Sequence, residues 1–190
     1  MDIIEALETR RSVRSFTDEP IGEDVLRTLL ALGTKAPSAS NSQPWSFGIL
    51  QGKARIRMLA EEARQVLVSG ITPGSPLEKY ASMLENPGYD MFHGAGTLLF
   101  VYGRKDMPWH VGDCSMCIQN IMLAAHSMGI GSCWIGFANW LCKTDAFGAR
   151  MGVPADRELV GVVCMGHRKG ELPPVRLRRE PEILFWECAG

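Results

Sequence analysis

The sequence predicts an α+β fold, from two nearly continuous apolar runs that read as buried strands and from several segments with helical spacing around them. The runs are Thr97 to Gly103 (TLLFVYG) and Leu159 to Gly166 (LVGVVCMG). Both are bounded by turn residues, as strands covered on both faces tend to be, so both are expected at the centre of the sheet. Between them, Val111, Cys114, Ile118, Ile121, Met122 and Ala125 recur at helical intervals and predict a helix over Val111 to Met128.

The remaining elements follow from local pattern. Ile3, Ile4 and Leu7 share one helical face, and Val25, Leu26, Leu29 and Leu30 share another after Pro20-Ile-Gly, so two amphipathic helices are expected to open the chain. Trp45 to Leu50 follows a proline and reads as a strand, and Lys53 to Val68 returns to helical spacing. Ser69 to Gly96 is a Gly- and Pro-rich excursion carrying Tyr80, Met83, Tyr89, Met91 and Phe92, which suits a lid over a planar substrate or plain packing. A short strand is expected over Ser132 to Phe137, then a helix over about Asn139 to Met151. Glu171 to Gly190 is a proline-rich arm that ends in Ile183-Leu-Phe-Trp186, an apolar stretch in need of a surface to cover.

With 190 residues, 46% of them hydrophobic, one domain spanning 1–190 can bury a substantial core. Twenty basic residues against 21 acidic give a net charge of −1, which argues against nucleic acid or an anionic membrane as partner. Asp2, Glu5 and Glu8 stand where a secretory signal would be basic and then apolar, so a cytoplasmic protein is expected. Asp113, Gln119, Asn120 and His126 interrupt Val111 to Met128, making it a buried helix and not a membrane span. Of the cysteines at 114, 117, 133, 142, 164 and 188, four lie inside apolar runs and are read as reduced, packed thiols. Cys114-Ser-Met-Cys117 has C-x-x-C form, but no second pair completes a metal site. Core packing is the preferred reading.

No phosphate-cradling glycine motif is present: Gly94-Ala-Gly96 precedes a strand where the dinucleotide fingerprint must follow one. Arginine is the alternative. Extending the first helix past Leu7 brings Arg10 and Arg11 close to its apolar face, where an inward guanidinium wants an anion. The competing reading is that both complement the negative end of that helix and reach water. His93, His110, His126 and His167 show no ligand spacing, and Trp109, Trp140 and Trp186 read as core or interface anchors.

Four motifs then occur in order: Arg10-Arg-Ser-Val-Arg-Ser-Phe16, Ala36-Pro-Ser-Ala-Ser-Asn-Ser-Gln-Pro-Trp-Ser-Phe47, Gly129-Ile-Gly-Ser-Cys-Trp-Ile-Gly136, and Gly166-His-Arg-Lys-Gly-Glu-Leu-Pro-Pro-Val-Arg-Leu-Arg-Arg179. Together they resemble the nitroreductase family of FMN enzymes over almost the whole chain. The resemblance implies a mostly antiparallel central sheet flanked by helices, and a homodimer formed across the Val111 to Met128 helix in which the C-terminal arm (171–190) of each copy reaches over the other. It also implies phosphate and flavin-ring contacts from Arg10, Arg11, Ser12 and Arg14. Pro37, Ser38, Ala39, Asn41 and Gln43 would approach the same flavin from the other subunit. Cys133, Trp134, Ile135 and Gly136 would lie against the ring near N5, and Arg176 and Arg178 would return to the phosphate. Ala39 stands where many relatives carry Gly. Pro174 stands where some longer relatives have a second basic ligand, which leaves that task to Arg176 and Arg178.

The chemistry so implied is an FMN-dependent oxidoreductase working by ping-pong. NADH or NADPH reduces the flavin, and a small acceptor such as a nitroarene, quinone or enone reoxidises it. No side chain need be catalytic, because the flavin carries the reaction. Two alternatives stay open: a flavin-binding or flavin-sensing dimer with no useful turnover, and another reaction on the same scaffold, such as reductive dehalogenation or flavin destruction.

Overall fold

The computed structural model describes residues 1–172, 174–175 and 177–187. Four antiparallel strands, β1 (Trp45–Gln51), β2 (Thr97–Arg104), β3 (Ile130–Trp134) and β4 (Arg157–His167), form one sheet in the order β1-β2-β4-β3. The two continuous apolar runs are thus the central strands, as their composition demands. Val160 is an extra residue in β4, where the register shifts opposite Val101 and Tyr102.

Alternation along the strands divides the core in two. Leu98, Phe100, Val162 and Cys164 face α3 (Lys53–Ser69) and the 77–95 segment. Leu99, Val101, Val163 and Met165 face α2 (Glu23–Gly33) and α5 (His110–Ser127). α2 and α5 pack closely because Gly33 has no side chain: a Cβ there would stand 2.4 Å from Ile121 Cγ1. Cys114 and Cys117 are fully buried in this layer, and burial pushes both thiols up to about 12, as suits packing residues.

Several expectations need correction. α1 (Ile3–Thr9) does not bury its apolar face in this chain: Ile3, Ile4 and Leu7 are more than half exposed and only Ala6 is buried. Val111, placed in the buried stripe of α5, is likewise exposed, as are Trp109, Trp140 and Trp186, which are not core residues of the single chain. The strand expected over Ser132 to Phe137 is shifted to 130–134, and a 3₁₀ turn occupies Gly136–Ala138. The helix expected to Met151 breaks into α6 (Asn139–Cys142) and α7 (Asp145–Arg150). Thr144 restarts it by accepting a hydrogen bond from the Phe147 N–H at 3.2 Å. The excursion contains α4 (Ala81–Leu84) and is well anchored: Leu77, Leu84, Met91 and Phe92 are buried, so the last two are core residues rather than lid residues. In the arm, Leu177 and Ile183 to Trp186 are exposed; Arg176 and Cys188 lie outside the described residues.

One contact positions the first motif. Gly131 of β3 and Gly166 of β4 are register partners, so their missing side chains leave one bare patch on the sheet. Residues 12–17 settle there. Val13 N–H donates to Ser132 O and Thr17 N–H to His167 O, while Lys169 N–H donates to Ser15 O. A Cβ on Gly131 would meet Val13 Cγ1 at 2.8 Å, and one on Gly166 would meet Phe16 Cδ1 at 2.9 Å. Gly131→Ala is therefore expected to lower stability by about 1–3 kcal/mol through overpacking. Denaturant unfolding should show the loss, and Val13→Ala in the same chain should restore part of it.

Candidate active site

α1 starts under an Asp2 cap, whose carboxylate accepts from the Glu5 N–H at 2.9 Å, and ends at Thr9. Arg10 leaves helical geometry with φ −57° and ψ 134°, and the two neighbouring arginines part company there. Arg11 follows the helix-end reading: its Nη1 donates to Glu8 O and Arg10 O, both at 2.7 Å. Arg10 turns the other way, into the protein. Its Nη1 is buried and has no hydrogen-bond partner among the described residues. Burial, then the charges of Arg11 and Arg178, push its guanidinium below its ordinary proton affinity.

The space beside Arg10 is a cleft of about 310 Å³. α1 lines it with Glu5 and Thr9, α5 with His126, β3 with Gly131 and Ser132, and the end of β4 with Arg168. Arg168 lies in the fourth motif quoted above, but no role was expected of it. His126 has no ligand spacing in the sequence; its place is visible only once α1 packs on the last turn of α5. A buried donor without a partner costs free energy unless an anion completes it. Arg10, Arg168 and the nearby Arg178 therefore fit a phosphate, and could replace the glycine loop that the sequence lacks.

Arg14 stands four residues further on, its Nη1 3.5 Å from Ser12 O. Its charge is felt at Tyr89, His93 and Cys133, so the excursion does reach this part of the site. Cys133 lies directly across from Cys164 of β4 and on the face that carries Val13. The neighbouring Cys164, then the charge of Arg14, the nearby Ser12 and the charge of Arg10, pull the Cys133 thiol down against its burial; Cys164 is pushed up in exchange. Trp134 lays its indole over Gly161, where a Cβ would be 2.6 Å from the ring. Ile135 N–H extends the ladder to Val162 O at 2.8 Å, and Gly136 opens the turn that follows.

The second motif lies elsewhere. Pro37, Ser38, Ala39, Asn41 and Gln43 precede β1, at the sheet edge opposite β3. Ser40, Asn41 and Gln43 have φ of 53°, 53° and 45°, left-handed backbone unusual without glycine, on either side of right-handed Ser42 at φ −67°. Ser38 Oγ accepts from the Gln43 N–H at 3.0 Å, and the buried carboxylate of Asp113 on α5 accepts from the Ala39 N–H, 3.3 Å from each oxygen. Sequence reading registered Asp113 only as an interruption of an apolar run. Asp113 and His126 sit at opposite ends of α5, separated by about 20 Å of helix at 1.5 Å per residue. One chain therefore gathers Arg10, Ser12, Arg14 and Cys133 on one side and holds residues 37–43 well away.

Fold and cleft define an α+β protein with an arginine-lined cleft beside its sheet. The Nitroreductase family model matches residues 7–167, so the chain belongs to the nitroreductase family. A protein of Methanothermobacter thermautotrophicus, provisionally named an NADH dehydrogenase/NAD(P)H nitroreductase, is 31% identical over 187 residues, covering 98% of this chain and 87% of its own. Nitrobenzene nitroreductase of Ectopseudomonas oleovorans is 27% identical over 204 residues, covering 90% and 88%. The crystal structure of a nitroreductase with bound FMN from Bacteroides fragilis superposes with a TM-score of 0.83 at 27% identity, covering 98% of this chain and all of that one.

The strained 38–43 segment should depend on its one tether to α5. Asp113→Ala is expected to cost about 1–3 kcal/mol, the usual penalty for stranding a buried donor. Asp113→Asn, which keeps an accepting oxygen, should cost less. Denaturant unfolding gives the stability, and amide hydrogen exchange at Ala39 shows whether the loss is local.

Proposed function

We propose that two copies of this chain assemble and bind FMN in each Arg10 cleft, and that the dimer transfers electrons from NADH or NADPH to small conjugated acceptors. The observation that carries this reading is the half-buried Arg10 side chain, which lines the cleft and whose buried Nη1 is unpartnered among the described residues. When bound, the flavin supplies the two-electron chemistry, accepting hydride from the nicotinamide and passing it to a nitroarene, quinone or enone.

The protein's share is binding, orientation and charge. Arg10, Arg168 and Arg178 neutralise the phosphate, with Arg176 as a further expected ligand. Arg14 contributes the positive charge that favours electron-rich forms of the ring's pyrimidine side. Cys133, with Ser12 beside it, lies within reach of the Arg10 and Arg14 charges. The approximately 20 Å between Asp113 and His126 supports a dimer: two α5 helices packed antiparallel across a two-fold axis would bring residues 37–43 of one copy to the arginine cleft of the other. Exposed Ile3, Ile4, Leu7, Val111 and Trp186 supply apolar surface for that assembly. The five described cysteines are free, which suits a reducing cytoplasm.

Purified protein is expected to be yellow and to oxidise NADH or NADPH when a quinone or nitroarene is supplied. Arg10→Ala should lose FMN roughly 10-fold to 100-fold more readily, the effect of a charge-assisted bond. It should hold riboflavin almost as well as the parent, because riboflavin has no phosphate. Excess FMN should restore turnover. Equal losses for the two flavins would place Arg10 outside the phosphate site, and a flavin-loaded dimer inert to every donor and acceptor pair would remove the enzymatic reading.

A further inference from the structure

His126 is the group in the arginine cleft that none of the motifs accounts for. Its Nε2 lies 2.8 Å from Thr9 Oγ1, and that hydroxyl sits 2.6 Å from Glu5 O. A carbonyl only accepts, so the single Thr9 hydrogen goes to Glu5 O and the hydroxyl is left to accept from His126. The neutral imidazole therefore carries its hydrogen on Nε2, and Nδ1 is the nitrogen that gains or loses the titrating proton. Thr9 receives the same bond from the neutral and the charged ring, so titration can proceed without breaking it.

The charged groups around this ring come from each element that borders the cleft. Glu5 faces it from α1, together with the amino terminus at Met1; Arg10 and Arg11 come from the turn after α1, and Arg168 from the end of β4. β3 contributes only uncharged residues there, Ile130 to Ser132. Burial and the three arginines hold His126 below the ordinary imidazole value of 6.5, against a weaker pull from Glu5. With the cleft empty of anion, these surroundings favour the neutral ring.

We propose that His126 is a proton-dependent ligand of the FMN phosphate, completing the arginine cleft only after the bound dianion has drawn a proton onto Nδ1. This rests on the reading of the cleft as the phosphate site. A dianion reverses the local potential that the arginines impose, so the proton affinity of the ring is higher with FMN bound than without. The sign of the linkage follows. Binding takes up a proton, and affinity rises as pH falls through the bound-state value until the free-state value is reached. The phosphate's own second ionisation, at about 6, works in the opposite sense, because a cationic cleft favours the dianion and so releases a proton on binding. Net uptake therefore belongs to the protein.

The test compares parent protein and His126→Gln, each loaded with FMN or with riboflavin, diluted across pH 5.5 to 8.5 while released flavin is read by fluorescence. Gln keeps an N–H for Thr9 but cannot titrate, and it leaves the Met1 amino group in place. The parent is expected to hold FMN no better than the variant at the alkaline end and about tenfold better near pH 6, the effect of one charge-assisted hydrogen bond. Riboflavin profiles should coincide. Parallel FMN profiles for the two proteins would overturn the role of His126 while leaving the phosphate cleft intact. An advantage shared equally by riboflavin would show that the proton acts away from the phosphate and would also overturn it. Failure of the parent to bind either flavin would overturn the reading of the cleft itself, and this inference with it. Should the Gln variant not accumulate, His126→Asn takes its place. Calorimetry of FMN binding to the parent in two buffers of different ionisation enthalpy must in addition show proton uptake at pH 7 beyond that for riboflavin; release would contradict the proposal.

Discussion

The placement of the site depends on two facing glycines. Gly131 and Gly166 leave a strip of β3 and β4 without side chains, and residues 12–17 fill it with Val13 and Phe16 while hydrogen-bonding to Ser132, His167 and Lys169. That seat ends α1, turns Arg10 inward and carries Arg14 toward Tyr89 and His93. A β-carbon at either glycine would lift the segment from the sheet, and with it the guanidinium groups that give the cleft its charge.

Two features raise the free energy of the single chain, and they lie at opposite ends of α5. At one end, Arg10, Arg11 and Arg168 crowd positive charge into a small cleft beside His126, with Glu5 as the only carboxylate lining it among the described residues. At the other, Ser40, Asn41 and Gln43 hold a left-handed backbone that Asp113 and Ser38 tie down. Unfavourable local conformation that the surroundings must enforce is common where a chain meets a ligand. An anion relieves the first cost. In the proposed dimer a second copy, laid antiparallel along α5, would bring the strained segment to the same ligand and cover the exposed face of α1. In this account both costs are offset by one event, the assembly of dimer and cofactor.

The strands and helices that could be read directly from the residues are those buried by their own chain. The runs that became β2 and β4, and the stripe from Cys114 to Ala125 on α5, show periodicity because one core imposes it. Ile3, Ile4 and Leu7 show the same periodicity, but an apolar face states only that it wants cover and not which chain provides it. The break at Thr144 is not legible in the sequence, because one cap hydrogen bond outweighs a continuous helical pattern. At the site, arginines inside a recognisable motif were found, and the split between Arg10 and Arg11 was not, since it depends on where α1 stops. His126 and Asp113 were invisible as site residues. Each acts on a segment more than 70 residues distant in sequence, and only the packing of α1 and the 38–43 loop on α5 reveals them.

The central claim is that the arginine cleft and the 37–43 segment serve one flavin from two chains, so that cofactor and dimer form together. Native mass spectrometry of the purified protein over a dilution series tests it most directly. The account predicts a dimer carrying two FMN molecules, giving way on dilution to flavin-free monomer with no abundant intermediate. A monomer that retains one FMN, or a dimer that stays intact after losing both, would contradict it.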